Sequence, residues 1–355
     1  MGFSIGNKII GNNEEPYFIA DIAANHDGDI NRALMLIEMA KEAGADCAKF
    51  QNFKANTIVS KKGFEMIGAL SHQASWKKSV YETYEEASVS DEWSQILKEK
   101  CESVEIEYMT SPYDKESVDL ADKYVNAFKI GSGDITWIDM IEYMAQKGKP
   151  MILATGASTM KDVKRAMNTI TKYTEDVVIM QCNTNYTASP LNFEHINLNV
   201  LKSYSVAFPR AVLGLSDHTY GHTSVLGAYA LGARVFEKHF TDDNYRSGPD
   251  HKFSMNPETW KKMVESVNEL KKAMGDGIKV VEENENDTVN VQRRAVYLKH
   301  GMKKGDILTE NNLLPLRPVL KDAVLPYEIN CVIGKRVNID IPAGGILCWK
   351  DVSQR

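Results

Sequence analysis

No stretch of this chain approaches the roughly 18–20 consecutive apolar residues that a membrane span needs. The opening MGFSIGNKIIGNNEEP lacks the apolar run of a signal peptide, and Gly6 stands where a myristoylation pattern requires Ser or Thr. A cytoplasmic protein without a membrane partner is expected. Basic excess is missing as well: 42 Lys+Arg face 48 Asp+Glu, a formal net charge of -6. That excludes a general nucleic-acid binder but not a local basic cleft. The five cysteines, Cys47, Cys101, Cys182, Cys331 and Cys348, show no C-x-x-C spacing, so neither a zinc knuckle nor a disulfide framework is indicated. There is no G-x-G-x-x-G and no Walker loop. What remains is an ordinary globular composition, 43% hydrophobic and 25% charged over 355 residues, enough for one barrel-sized domain and a small one.

From residue 17 to about 275, short β-branched or aromatic runs alternate with helical patterns, the signature of βαβ units. Eight strands are predicted, at 17–23, 46–51, 105–110, 126–130, 150–155, 176–182, 211–216 and 233–239. The helix expected over 31–43 carries Leu34, Ile37 and Ala40 on one face, and Gly44 ends it. Eight such units fit a TIM (β/α)8 barrel better than an open doubly wound sheet, so the fold class is α/β with residues 1–275 as the barrel. The connection 52–90 is long and rich in aromatics (Phe53, Phe64, Trp76, Tyr81, Tyr84), which marks a loop as functional or disordered. Residues 276–290 are polar and acidic and read as a linker. In 291–355 the fragments GDILTENNL from Gly305 and GGILCWKDV from Gly344 resemble each other, which predicts a compact, pseudo-symmetric β-rich module too small for a second catalytic core.

A TIM barrel assembles its active site at the C-terminal ends of the strands, and here those ends are polar. They deliver Asp21; Lys49 and Gln51; Thr110 and Ser111; Lys129, Ser132 and Asp134; Thr155; Asn183, Thr184 and Tyr186; Ser216, Asp217 and His218; and Lys238 and His239. Any one could be a solvated group at a loop mouth, but jointly they predict a site. Lys49, Lys129 and Lys238 with the nearby hydroxyls suggest an anion pocket. The KIGSGD run from Lys129 is either a backbone cradle for that anion or simply a tight turn. His218 and His239 end adjacent strands, so their rings either meet around a divalent ion with open positions or serve structure separately.

These residues resemble the sialic acid (nonulosonate) synthase family, which condenses phosphoenolpyruvate with an N-acetylated hexosamine-type aldose. The resemblance runs through IADIAANHDGD, GADCAKFQ, FKIGSGD, LATG, GLSDHT, ALGARVFEKHFTDD and GPDHKFSM, in the family's order. Further on, KKGDILTENNL, LRP, VIGKRV and IPAGGILCWKDV are similar to its antifreeze-protein-like SAF domain, of β-clip type. The resemblance implies that Lys49, Ser111, Lys129, Ser132, Thr155 and Ser216 hold phosphoenolpyruvate, that Gln51, Tyr186 and Asp250 orient the sugar, and that His218 and His239 bind Mn2+ or Mg2+. By their strand-end position Asn183, Thr184 and Lys238 join the substrate-binding set. The implied chemistry is attack of the enol carbon on a metal-polarised aldehyde, addition of water and loss of phosphate through C–O cleavage. Asp134 and Asp21 handle protons and stabilise the cation, with Lys49 and Lys129 counted beside them as catalytic. A domain-swapped homodimer is also implied, in which Arg317 enters the partner chain's sugar pocket.

Several positions depart from the family pattern. Asp21 and Asp134 replace the usual Glu, Ala154 stands where many relatives have Ser, the sixth strand ends CNTNYTAS, and Val319 and Leu320 replace glycines after Arg317-Pro318. They point to an acceptor other than N-acetylmannosamine, such as a 2,4-diacetamido-trideoxy hexose. Two alternatives stand beside the synthase: a Schiff-base pyruvate aldolase using Lys129 or Lys238 as nucleophile, and a noncatalytic carbohydrate-binding protein.

Overall fold

A computed structural model describes residues 2–68, 73 and 76–353. The chain divides into two compact units, Met1–Gly275 and Asp276–Arg355. The first begins with an antiparallel hairpin not expected from the sequence, β1 (Gly2–Ile5) and β2 (Lys8–Gly11), turned at Gly6 with φ 55°.

Eight parallel strands follow: β3 (Tyr17–Asp21), β4 (Cys47–Asn52), β5 (Glu107–Pro112), β6 (Phe128–Ile130), β7 (Met151–Ala154), β8 (Val177–Cys182), β9 (Val212–Asp217) and β10 (Val235–His239). All eight overlap the expected runs. Their order, β5-β4-β3-β10-β9-β8-β7-β6, wraps a nearly closed barrel. Strands β5 and β6 come side by side without a ladder among the described residues. Both faces of these strands are buried, which is why they read as continuous apolar runs rather than as alternating ones.

Alternation along each strand sorts two cores. Side chains facing the helices, such as Phe18, Ala20, Phe50, Phe128, Leu153 and Leu215, pack under them. The opposite set, Tyr17, Ile19, Cys47, Met109, Ile152, Val178, Met180 and Val235, fills the barrel interior, and Ile5 and Ile10 of the hairpin join it. The barrel is therefore plugged at its N-terminal mouth and opens only where its inward residues turn polar. The helix Ile30–Glu42 shows how the outer layer is set. Asp29 caps it by accepting from Asn31 N, it buries Ala33, Leu36, Ile37 and Ala40, and Gly44 at φ 93° turns the chain into the next strand. Leu34, expected on the buried face, lies at its margin.

The 52–90 connection contains the short helices Ala55–Ile58, Lys61–Ile67 and Val80–Ala87; residues 69–72 and 74–75 within it lie outside the described set. The segment 276–290, expected as a linker, carries a 3-10 turn at Glu283–Glu285 and enters the helix Asn286–Gln292. The Asn290 carbonyl accepts from Val319 N, so that helix is tied into the second unit.

The second unit pairs β11 (Ala295–Leu298) with β12 (Leu313–Leu316) around Val296, Leu298, Leu308, Val324, Val332 and Leu347. The two similar fragments adopt the same local device. Gly305 and Gly344 both have positive φ, and Leu308 and Leu347 are fully buried. The side chains of Asn312 and Asp351 accept from the backbone N–H of Thr309 and Cys348 to close a short 3-10 turn. No helix among the described residues is long and apolar enough to cross a membrane.

Candidate active site

At the C-terminal mouth of the barrel lies a cavity of about 390 Å³. Its floor is made by inward-facing residues at the strand ends: Asp21, Lys49, Gln51, Ser111, Lys129, Ala154, Ser216, Glu237 and His239. The βα loops add Ser132, Asp134, Tyr186, His218 and Asp250. The 52–90 connection contributes Phe53, Ile58, Gln73, Trp76, Thr83 and Tyr84 as a largely aromatic wall, which Tyr113 continues.

Four buried charges alternate across the floor. Lys49 Nζ lies 2.7 Å from Asp21 Oδ2 and 3.8 Å from Glu237, and Lys129 Nζ lies 3.4 Å from the other oxygen of Glu237. Burial pushes the Asp21 carboxyl up, and Lys49 only partly offsets it. Burial also acts on Glu237, but Lys129, Lys49 and a hydrogen bond from Ser216 outweigh it and bring that carboxyl down to about 2. Two acidic groups in one pocket are thereby driven in opposite directions, the arrangement that separates a proton carrier from a fixed negative charge. Burial lifts a third acid, Asp134, to about 6, with Lys129 opposing. Glu237 is the chief residue that sequence reasoning missed. Its signal was the strand phase, since it shares the inward face with His239 two residues on.

Four expected ligands lie away from the cavity. Lys238 points out of the barrel, where its Nζ lies 2.5 Å from Asp217 Oδ2 and 2.7 Å from the Thr219 carbonyl, away from the cavity. Only two of the three strand-end lysines therefore face the pocket, and Lys238 is excluded as a Schiff-base nucleophile. The Thr155 hydroxyl donates to Met180 O and accepts from Tyr204, so it has turned to the helix side, and its neighbour Ala154 faces the cavity in its place. Asn183 and Thr184 do not line the cavity either: Asn183 Nδ2 reaches the His195 carbonyl, and Thr184 packs against Gly156. Arg317 lies in the second unit and is exposed there.

His218 and His239 do converge, with ring centroids 5.4 Å apart and Tyr186 against the His218 ring at 4.3 Å. Burial holds both imidazoles near 4, hence neutral, the form that ligates metals. His218 Nδ1 lies 2.8 Å from the Asn183 carbonyl, which fixes its tautomer with Nε2 as the lone-pair atom. His239 Nδ1 is buried without a hydrogen-bond partner. The carboxylates of Asp21 and Asp250 lie 3.7 and 3.9 Å from the His239 nitrogens, too far to bond them. This donor set fits a divalent ion that takes its remaining ligands from water or substrate. No group of three or more His, Cys, Asp or Glu among the described residues is placed to hold a metal ion, so the protein's own ligands at this point would be the two imidazoles.

The NeuB family model matches residues 36–279 and the SAF domain model matches residues 293–353. The chain is 34% identical to N,N'-diacetyllegionaminic acid synthase of Legionella pneumophila, over 98% of this chain and 97% of that protein. It is 31% identical to the Homo sapiens N-acetylneuraminate-9-phosphate synthase, over 94% and 91%. The crystal structure of the spore coat polysaccharide biosynthesis protein SpsE from Bacillus subtilis matches with a TM-score of 0.67 at 30% identity, covering 100% of both chains.

The outward placement of Lys238 has a measurable consequence. Lys238→Met leaves Asp217 buried without its cation, so the barrel should lose about 3–5 kcal/mol of stability in urea denaturation. A loss below about 1 kcal/mol is the behaviour of an exposed pair and contradicts the placement.

Proposed function

The chain belongs to the NeuB family, joined to an SAF domain, and from that premise we propose that it condenses phosphoenolpyruvate with a 2,4-diacetamido-trideoxy hexose or a close N-acylated relative. The products are a nonulosonic acid and phosphate. Relatives of this family are named as nonulosonic acid synthases. The observation that carries the reading is one cavity whose lining combines a cationic and hydroxyl set, an aromatic set and a histidine pair. Lys49, Lys129, Ser111 and Ser132 can meet an anion; Phe53, Trp76 and Tyr84 can meet apolar substituents.

In this reading Lys129, Ser132 and the amides of the 131–133 turn take the phosphate, and Lys49 with Ser111 takes the carboxylate. Gln51, Tyr186 and Asp250 hold the aldose with its aldehyde toward the histidines. A divalent ion, Mn2+ or Mg2+, held by His218 and His239 supplies Lewis-acid polarisation of the aldehyde oxygen when bound. Carbon 3 of phosphoenolpyruvate forms the bond to the aldehyde carbon as the C=O π pair moves to the oxygen, which takes a proton from Asp21, and carbon 2 is left cationic beside the fixed charge of Glu237. Water adds at carbon 2, Asp134 receives its proton, and the C–O bond to phosphate breaks to give the keto acid.

A panel of aldoses compared by kcat/KM tests the acceptor. The diacetamido sugar should lead, with some N-acetylmannosamine turnover remaining, since pocket differences of this kind redistribute about 1–3 kcal/mol. Phosphate released from phosphoenolpyruvate labelled with 18O in the bridging position should carry the label. Chelation should abolish turnover and Mn2+ or Mg2+ restore it. N-acetylmannosamine as the best substrate refutes the acceptor, and full activity in the chelated enzyme refutes the metal.

With its carboxyl near 6, Asp134 is ionised above that pH and protonated below it. As an acceptor it works only ionised, so kcat/KM should fall as pH drops through about 6. Asp134→Asn should lower kcat by about 10²–10⁴ and remove that limb. A limb unchanged in the variant belongs to the substrate's own ionisation.

We also propose a homodimer in which Arg317 completes the sugar site of the partner chain, as the resemblance implies. His239→Ala and Arg317→Ala should each be inactive alone. Random one-to-one reassembly of the two should restore roughly a quarter of wild-type sites, because half the dimers are mixed and each mixed dimer has one intact site. No restoration after verified exchange places Arg317 outside the partner's site.

A further inference from the structure

We infer that Asp217 and Lys238, neither of which faces the cavity, are positioning residues that set the separation of His218 and His239. The inference rests on the proposed metal site. Strands β9 and β10 pair in parallel, and the last rung of their ladder is Asp217 opposite Lys238. Each residue immediately precedes one of the histidines. Above that rung β9 and β10 are no longer laddered to each other; His239 stays paired with Asp21 of β3 and the His218 ring with the Asn183 carbonyl, so what ties the two histidine segments directly together is the clamp behind them.

The clamp is an ion pair at 2.5 Å with side chains 1% and 0% exposed. It is extended around His218 on both sides. Thr219 donates its N–H and its hydroxyl to the Asp217 carboxylate, at 3.0 and 2.9 Å, and Ser224 Oγ donates at 2.5 Å. Lys238 Nζ closes the loop by donating to the Thr219 carbonyl at 2.7 Å. The residues before and after His218 are thus held by the residue that precedes His239. A buried pair this fully bonded exceeds what joining two strands already laddered by their backbones requires. Its place one residue before each histidine accounts for the extra order, because metal affinity falls when supporting groups let ligands drift.

The test reads Mn2+ affinity by the electron paramagnetic resonance signal of free Mn2+, in chain otherwise intact. Single substitutions leave a buried charge, so the main variant is Asp217→Leu with Lys238→Met, an apolar pair that preserves the fold in other proteins. Its Kd for Mn2+ should rise about 10–100-fold. Leu36→Ala, a core truncation on the helix side, is the control for general destabilisation and should bind as wild type. Should the double variant fail to fold, Ser224→Ala carries the same test at smaller amplitude, a threefold or greater rise. A smaller change than these thresholds, or an equal loss in Leu36→Ala, overturns the positioning role while leaving the metal site standing. Absence of Mn2+ binding by the wild-type chain overturns both.

Discussion

The two-residue period of a strand in a closed sheet governs everything at this barrel's mouth. Because β3 to β10 are buried on both faces, each side chain has two destinations, the interior or the helical shell, and a neighbour in sequence always takes the other one. Ser216 and Glu237 go inward and reach the cavity, while Asp217 and Lys238 go outward and meet each other. The barrel's interior is already filled below by Tyr17, Ile19, Ile152 and Val178 with the β1–β2 hairpin beneath. Inward polar groups therefore have one exit, upward, and converge without any loop having to bring them together.

That convergence creates an electrostatic problem whose solution sets the chemistry. Lysines buried with no solvent would be costly, and so would carboxylates; alternating them as Asp21, Lys49, Glu237 and Lys129 lets each charge face its opposite. An anionic substrate entering such a row meets cations already supplied with counter-charges, so it competes with Glu237 rather than filling a vacant positive pocket. The split in the carboxyl groups follows from the same row. Glu237 sits between two ammonium groups and stays ionised, whereas Asp21 has one such neighbour and is governed by burial.

The fold was legible because its signal is redundant: eight apolar runs, each bounded by turn residues, survive errors of one or two positions. The site demanded single-residue resolution. His218, His239, Lys49, Lys129, Ser132 and Tyr186 were picked out as polar groups at or just beyond predicted strand ends, and the structure brings them to one cavity. Lys238 and Thr155 were misplaced and Glu237 was missed for one reason: strand ends were read as sets, without fixing which parity faces inward. Cys47, Lys49 and Gln51 on β4 carry that parity in the sequence, an inward apolar residue followed by inward polar ones. The hairpin at the N-terminus was hidden because each of its strands is only four residues long, and the helix Asn286–Gln292 because it buries no residue and so carries no apolar face.

The lining groups of the cavity are held by different means, and this bears on which of them can change. Of the cationic and hydroxyl lining groups, Lys49 stands on a strand laddered on both sides, Ser111 and Lys129 on strands laddered on one side, and Ser132 on the turn that follows β6. The aromatic lining and Asp250 are carried by excursions from the barrel: the 52–90 connection, and the segment after β10 that bears Asp250. That segment is anchored indirectly, through Asn25 to the Phe240 carbonyl and Ser254 hydroxyl, through Asp27 to His251, and through Arg32 to Asp242. Substitutions in the excursions can reshape that lining without disturbing a ladder, whereas a change on a laddered strand strains the barrel itself. Asp21 ends a strand laddered on both sides, where backbone movement cannot make up the missing methylene, whereas Asp134 stands on the turn after β6. For Asp21, any compensation must come from the pose of a bound molecule or from a bridging water.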